Sequence, residues 1–245
     1  MPVVLVVQHE DLCPLDRLEG WLAARGVAPV WCRPYAGDAV PATVAEDGLI
    51  VLGGHMGAND DAAYPWLPRV RALLANSVGD ATPTLGVCLG AQLLAVACGG
   101  RVEVGAAGLE AGVLDVRLRP AAADDPLLSG LPDPLGVPSM HGDAVVELPP
   151  DAVWLAASPT YPHQAFRVGG AAWGVQFHPE VSPATYRTWA AGHAAEWAAA
   201  GVDGAAVVAQ LTRREDEVTA VGRALADRFA GLLGADGVYA GPAGR

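Results

Sequence analysis

Cys88 lies between two glycines in the stretch Gly86-Val87-Cys88-Leu89-Gly90-Ala91-Gln92, an arrangement by which a chain presents a nucleophile. Pro83-Thr84-Leu85 before it is short, apolar and β-compatible, while Ala91 to Ala97 carries Leu93, Leu94 and Val96 among strong helix formers. The thiol therefore falls where a buried strand turns sharply into a helix. The flanking glycines permit the bend and let strand and helix approach closely. A thiol at a helix N-terminus also feels the positive end of the dipole, which favours thiolate, the nucleophilic form.

Such a nucleophile needs a group that takes its proton and later gives one to a leaving amine, and histidine serves both steps near neutral pH. Of the six histidines, His178 stands out, because Trp173-Gly174-Val175-Gln176-Phe177 reads as a strand running directly into His178-Pro179-Glu180. A carboxylate two residues on can share the strand face and hold the imidazole by a hydrogen bond. Cys88, His178 and Glu180 then form a triad in which the base is oriented by a third group. A tetrahedral oxyanion also needs preorganised N–H donors. Leu89, next after the nucleophile, supplies one, and Gly53-Gly54 supplies the other at a strand end where missing side chains let backbone approach substrate.

The competing use of these groups is metal binding. His178 and Glu180 with His141 or His55 can be drawn around zinc, but there is no HExxH and no paired-ligand spacing, so no metal is expected. Gly53-Gly54-His55-Met56-Gly57 lacks the Gly-Lys-Ser/Thr ending of a phosphate loop. His9, His163 and His193 read as ordinary histidines, Cys13, Cys32 and Cys98 as small buried hydrophobes, and the tryptophans as core or interface residues.

The elements that must position these groups follow from the apolar pattern. Val3 to Val7, Ala28 to Cys32, Gly48 to Leu52 and Pro83 to Val87 read as strands, with helices over Leu15 to Ala24 and Tyr64 to Ala75. Strand and helix alternation of this kind implies an α/β fold with a mostly parallel, doubly wound sheet, whose ligands lie at the carboxyl ends of the strands. From Arg101 to Phe177 short strands (112 to 118, 144 to 148, 153 to 157, 164 to 168 and 172 to 177) read as largely antiparallel additions, and Pro120 to Pro138 as a surface connection. Helices return over Pro183 to Ala200 and Val207 to Leu233, where Val221, Leu225, Phe229 and Leu232 make one apolar face. Gly234 to Arg245 reads as a frayed end.

Composition bounds the function. A chain of 245 residues, 52% hydrophobic and 17% charged, fits one α/β domain over residues 1–245, with a core to about residue 199 and a helical extension from about 200. A net charge of −12 repels phosphate backbones, so nucleic acid is not an expected partner. All fifteen basic residues are arginine, a mark of coding bias. Charged or polar residues interrupt every alanine-rich stretch, so no membrane span is expected, and Val3 to Val7 lacks the basic flank of a signal peptide. Four cysteines without regular spacing give no disulfide framework, which fits a reducing cytoplasm.

Taken together, Gly86-Val87-Cys88-Leu89-Gly90-Ala91-Gln92, Gln176-Phe177-His178-Pro179-Glu180 and Leu52-Gly53-Gly54 resemble the three signature blocks of class I (triad) glutamine amidotransferases. The likeness is nearest to stand-alone proteins similar to the amidotransferase domain of GMP synthetase. Ser139-Met140-His141-Gly142-Asp143 resembles that group's Ser-His-Gly-Asp segment, and Asn59-Asp60-Asp61 with Tyr64-Pro65-Trp66-Leu67 adds to the match, which covers roughly residues 48 to 181. The resemblance implies a flavodoxin-like fold and attack of Cys88 on the γ-carboxamide of glutamine. It also implies an oxyanion hole from the amides of Gly54 and Leu89, and a glutamine pocket involving Gly53, Gln92, Met140, His141 and Gly142. It implies no cofactor. His55 stands where the family commonly has proline, and no P-loop or SGGxDS motif is present, so the expected role is an amidotransferase passing ammonia to a separate synthetase. A free-standing γ-glutamyl peptidase or hydrolase is the alternative, and a non-catalytic binding module the third reading.

Overall fold

In a computed structural model, which describes residues 1–233, the alternating apolar and amphipathic segments form the expected βα pattern. Strands β1 (Val3–Val7), β2 (Ala28–Cys32), β3 (Gly48–Val51) and β4 (Thr84–Val87) are parallel. Helices α1 (Arg17–Ala24), α2 (Leu67–Gly79) and α3 (Leu89–Ala97) connect or follow them. Because side chains alternate across a strand, β1 feeds two cores. Val4 and Val6 join Leu18 and Leu22 of α1 on one face, while Leu5 and Val7 join Val70, Leu73 and Leu93 of α2 and α3 on the other.

The second half adds β5 (Arg101–Val104), β6 (Glu110–Leu118), β7 (Leu135–His141), β8 (Asp143–Glu147), β9 (Val153–Ala157), β10 (Ala165–Val168) and β11 (Ala172–Val175). The large sheet has nine strands in the order β2-β1-β3-β4-β11-β10-β9-β6-β7, and β5 pairs with β8 in a separate ribbon. The expectation of antiparallel additions holds for β6, β7, β9 and β10 and for the ribbon, but β11 pairs parallel with β4, matching Gly174 with Gly86 and Val175 with Val87. The physical reason is the tight β10–β11 hairpin, which reverses the chain and returns β11 in the direction of β4. All four residues of β11 are buried, as befits a strand covered on both faces.

The segment expected as a surface connection, Pro120 to Pro138, instead runs into β7, six of whose seven residues are buried. It also contains a buried carboxylate. Asp125 accepts hydrogen bonds from Trp173 Nε1 (3.0 Å), Leu127 N (2.9 Å) and Leu128 N (3.2 Å), and pairs with Arg167 Nε at 2.9 Å. Removing one partner of a buried pair leaves an uncompensated charge and unsatisfied donors. Asp125→Ala is expected to destabilise the fold by about 3–5 kcal/mol, read as a lower urea midpoint at unchanged slope.

The last helices are α4 (Pro183–Gly192), α5 (Ala194–Ala199), α6 (Gly204–Arg213) and α7 (Glu215–Leu233), so the two long helical stretches of the sequence divide into four. Ser182 caps α4 and Asp203 caps α6 through side-chain hydrogen bonds to the first-turn amides. Val221, Leu225 and Phe229 of α7 enter the core beside α1, with Leu232 partly buried against it. The expected frayed end, residues 234 to 245, lies outside the described residues. Among those described, no helix is long and apolar enough to cross a membrane.

Candidate active site

Adjacent parallel strands β4 and β11 carry Cys88 and His178 to the same carboxyl edge of the sheet. Cys88 follows β4 directly, with φ 50° and ψ −105°. That is a left-handed conformation that non-glycine residues adopt only under constraint from their surroundings. The constraint is close packing: a Cβ on Gly86 would lie 2.6 Å from the backbone of Gly90, and a Cβ on Gly90 would lie 2.0 Å from the carbonyl oxygen of Val51. The thiol is buried. Its sulfur lies 3.6 Å from Gln176 Nε2 and 3.9 Å from the carbonyl oxygen of Met140.

His178 and Glu180 lie beyond the end of β11, not on a strand face as the alternation implied, and they meet across Pro179. The His178 Nδ1 to Glu180 Oε1 distance is 2.7 Å, and both side chains are buried. The His178 amide donates to Pro138 O at 2.8 Å, which ties this segment to β7. Trp189 packs its edge on the imidazole, with ring centroids 4.7 Å apart. Burial alone would lower the imidazole pKa from 6.5, but the charges of Glu180 and Cys88 outweigh it and bring it up to about 10.

Gly53 and Gly54 follow β3 and reach the same edge. A Cβ on Gly53 would sit 3.0 Å from His178 Cε1 and 3.7 Å from Cys88 Cβ, and one on Gly54 would sit 3.1 Å from Leu89 Cδ2. The structure therefore brings Gly53, Gly54, Cys88, Leu89 and His178 together. Gln92, one turn into α3, is also drawn in: its Nε2 donates to Asp143 O at 3.0 Å and to Gln176 Oε1 at 3.3 Å. Met140, His141 and Gly142 border a cleft of about 390 Å³ that Cys88, His178 and Gln92 also line. The His141 ring itself is buried, with Nδ1 2.8 Å from Asp143 O and Nε2 2.9 Å from Glu110 Oε2. Ser158 and Gln164 donate to the same carboxylate at 2.7 Å each. Burial would raise the Glu110 pKa, but its His141 and Ser158 partners hold it below the usual range. The Met140 to Asp143 segment is thus anchored from behind.

Sequence reasoning missed several residues of the cleft. Cys13 is half-buried beside Glu10, and burial together with that carboxylate pushes its thiol pKa far up. Asp60 and Asp143 both approach Gly57, and burial with the Asp60 charge raises the Asp143 pKa while His141 partly offsets it. Asp60 and Asp143 fall inside segments that carry the family resemblance, without a pattern that singles out their carboxylates, whereas Cys13 lies in no motif and is marked only by following a strand end. Among the described residues, the hydrogen-bond partners of His55 are Glu10 and Tyr64. Among the described residues no three His, Cys, Asp or Glu side chains converge as a metal-binding group.

A thiol on a strained turn beside an imidazole–carboxylate pair, at the parallel half of a mixed sheet, is an arrangement that comparison with known proteins places in a class. The model of the glutamine amidotransferase class-I family matches residues 26–190, and the chain belongs to that family. It is 36% identical over 143 residues to a subunit of the glutamine-hydrolysing GMP synthase of Halobacterium salinarum, covering 58% of this chain and 70% of that protein. It is 34% identical over 165 residues to the glutamine-hydrolysing GMP synthase of Tolumonas auensis, where the match covers 62% of this chain but only 29% of the enzyme. The chain thus spans less than a third of that relative. A glutamine amidotransferase from Thermotoga maritima superposes with a TM-score of 0.81 at 28% identity, over 94% of this chain and 98% of that one. A second, from Methylobacillus flagellatus, gives 0.82 at 27% identity over 94% of each.

Proposed function

We propose that the chain is a single amidotransferase domain that hydrolyses the γ-amide of glutamine and delivers ammonia to a separate acceptor enzyme. The observation that carries this reading is the 2.7 Å His178–Glu180 pair set beside a thiol on a strained elbow. Cys88 passes its proton to His178 as Sγ attacks the γ-carbonyl carbon, and the amides of Gly54 and Leu89 take the negative charge that develops on oxygen. As the C–N bond breaks, the His178 imidazolium gives its proton to the departing ammonia, leaving a γ-glutamyl thioester. His178, now neutral, removes a proton from the water that releases glutamate and frees the thiol. Asp60 and Asp143 offer carboxylates to the substrate α-ammonium, and among the described residues no Arg or Lys lines the cleft to compete for them.

The experiment is a matched measurement of ammonia and glutamate release from glutamine, with mass-spectrometric trapping of a +γ-glutamyl adduct on Cys88. Equal yields and the adduct support the reading; neither product nor adduct sinks it. A second reading, hydrolysis of larger γ-glutamyl amides, is favoured by the cleft lining, which extends to Leu12, Trp189, His193 and Glu196. Faster turnover of a γ-glutamyl peptide than of glutamine in the same assay would establish it.

The pH dependence has a defined sign. His178 is raised from 6.5 to about 10, so the imidazolium that serves the leaving ammonia is present at neutral pH and is lost as pH climbs through about 10. Its contribution to stability is likewise complete below pH 6.5 and disappears over the same climb. Glu180→Gln removes a charge that holds the imidazolium, so the alkaline limb of kcat/KM is expected to move to lower pH. An unmoved limb would show that Glu180 does not set it.

A further inference from the structure

Gly54, whose amide is proposed to meet the oxyanion, and Gly53 before it have no side chains with which to hold their own loop, and glycine has the widest conformational freedom of any residue. The first side chain after them is His55, and both ends of one carboxylate grip it. Glu10 Oε1 accepts from the His55 backbone N–H at 2.8 Å, and Glu10 Oε2 lies 2.7 Å from His55 Nδ1. The other ring nitrogen meets Tyr64 Oη at 2.9 Å. Glu10 is itself fixed. Its carbonyl oxygen accepts from Gln8 Nε2 (2.9 Å) and Cys13 N (3.4 Å), and its Oε1 takes a further hydrogen bond from Cys13 Sγ at 3.4 Å.

Glu10 follows β1 and His55 follows β3, which are neighbouring parallel strands, so the carboxylate bridges two adjacent strand ends. The N–H it holds belongs to the planar peptide that joins Gly54 to His55. Anchoring that plane restrains the φ and ψ of Gly54, and through them the orientation of its own amide, which belongs to the preceding Gly53–Gly54 peptide. We infer that Glu10 is a positioning residue for the oxyanion hole, acting through His55 and not by contact with the reacting atoms.

The inference rests on the glutamine-hydrolysing reading of the same site, and its test separates the two. Losing one oxyanion donor costs about 10²–10³-fold in kcat, so Glu10→Ala, which loosens the donor, is expected to lower kcat by roughly 10²-fold and leave KM within about two-fold, the pattern of an interaction made only in the transition state. Glu10→Gln keeps an oxygen for the His55 amide and is expected to recover most of kcat. Independently of any substrate, hydrogen exchange of the segment 52–57 is expected to quicken in Glu10→Ala and to stay close to wild type in Glu10→Gln. Unchanged kcat in Glu10→Ala, a rise in KM alone, or unchanged exchange would each overturn the inference; a rise in KM alone would make Glu10 a substrate contact. If the wild type releases nothing from glutamine and traps no adduct, the functional reading falls, and the exchange measurement alone decides whether Glu10 holds the loop.

Discussion

Cys88→Ala protein is expected to keep its fold and to lose glutamine-dependent ammonia release by roughly 10⁶-fold, down to what binding and the oxyanion donors sustain alone. The substitution removes only the sulfur. Its two polar neighbours, at 3.6 and 3.9 Å, are weak partners, and the left-handed backbone that cysteine tolerates is no harder for alanine. The remaining His178–Glu180 pair cannot substitute, because the step that fails is formation of the C–S bond and not proton transfer. Sensitive glutamate detection beside a thermal melt is the measurement. Activity within ten-fold of wild type would mean that another group attacks the substrate.

The second large effect is on folding. Gly90→Ala places a methyl group 2.0 Å from Val51 O and 2.8 Å from Val51 C. Those are backbone atoms of a buried strand in the middle of the sheet, so neither side can yield cheaply. Helix α3 must retreat from β3, which also withdraws the Leu89 amide and the elbow from the catalytic edge. Overpacking usually costs about 1–3 kcal/mol, and with backbone on both sides the expected loss is about 4 kcal/mol or more, at the diagnostic end of point mutations. Gly20→Ala is the matched control: it lies inside α1 with nothing within 4 Å of the added methyl, and it is expected to stabilise by about 0.5–1 kcal/mol. Denaturant unfolding of the two variants should give opposite signs. A stable, active Gly90→Ala protein would show that the glycine is not needed for close packing.

The parts of the fold written in local pattern were readable. Four apolar runs became β1 to β4, and the glycines around Cys88 marked a turn whose packing explains them. What escaped depended on distant partners. β7 contains Gly136 and Pro138 and follows an Asp- and Pro-rich stretch, so its burial is invisible until β6 pairs with it. β5 shows little apolar signal because three of its four residues are exposed in a two-stranded ribbon. The parallel direction of β11 is a property of topology, not of composition. At the candidate site, Cys88, His178 and Glu180 can be picked out from the sequence because each sits in a short motif. Gln176, Asp60 and Asp143 lie within segments that carry the resemblance but have no distinguishing pattern of their own, and Glu10 acquires meaning only where strand ends converge.

The position of β11 also bears on how the chain is made. β4 emerges from the ribosome long before its neighbour: β11 starts 172 − 87 = 85 positions after β4 ends. At ordinary synthesis rates that gap lasts about 4–17 s. Throughout it, β4 presents an unpaired row of amides and carbonyls, flanked by apolar side chains, at what will become the centre of the sheet. Such an edge is a template for pairing with other chains. The same insertion that places the imidazole beside the thiol therefore makes the nascent polypeptide dependent on protection, by a chaperone or by dilution, until its second half arrives.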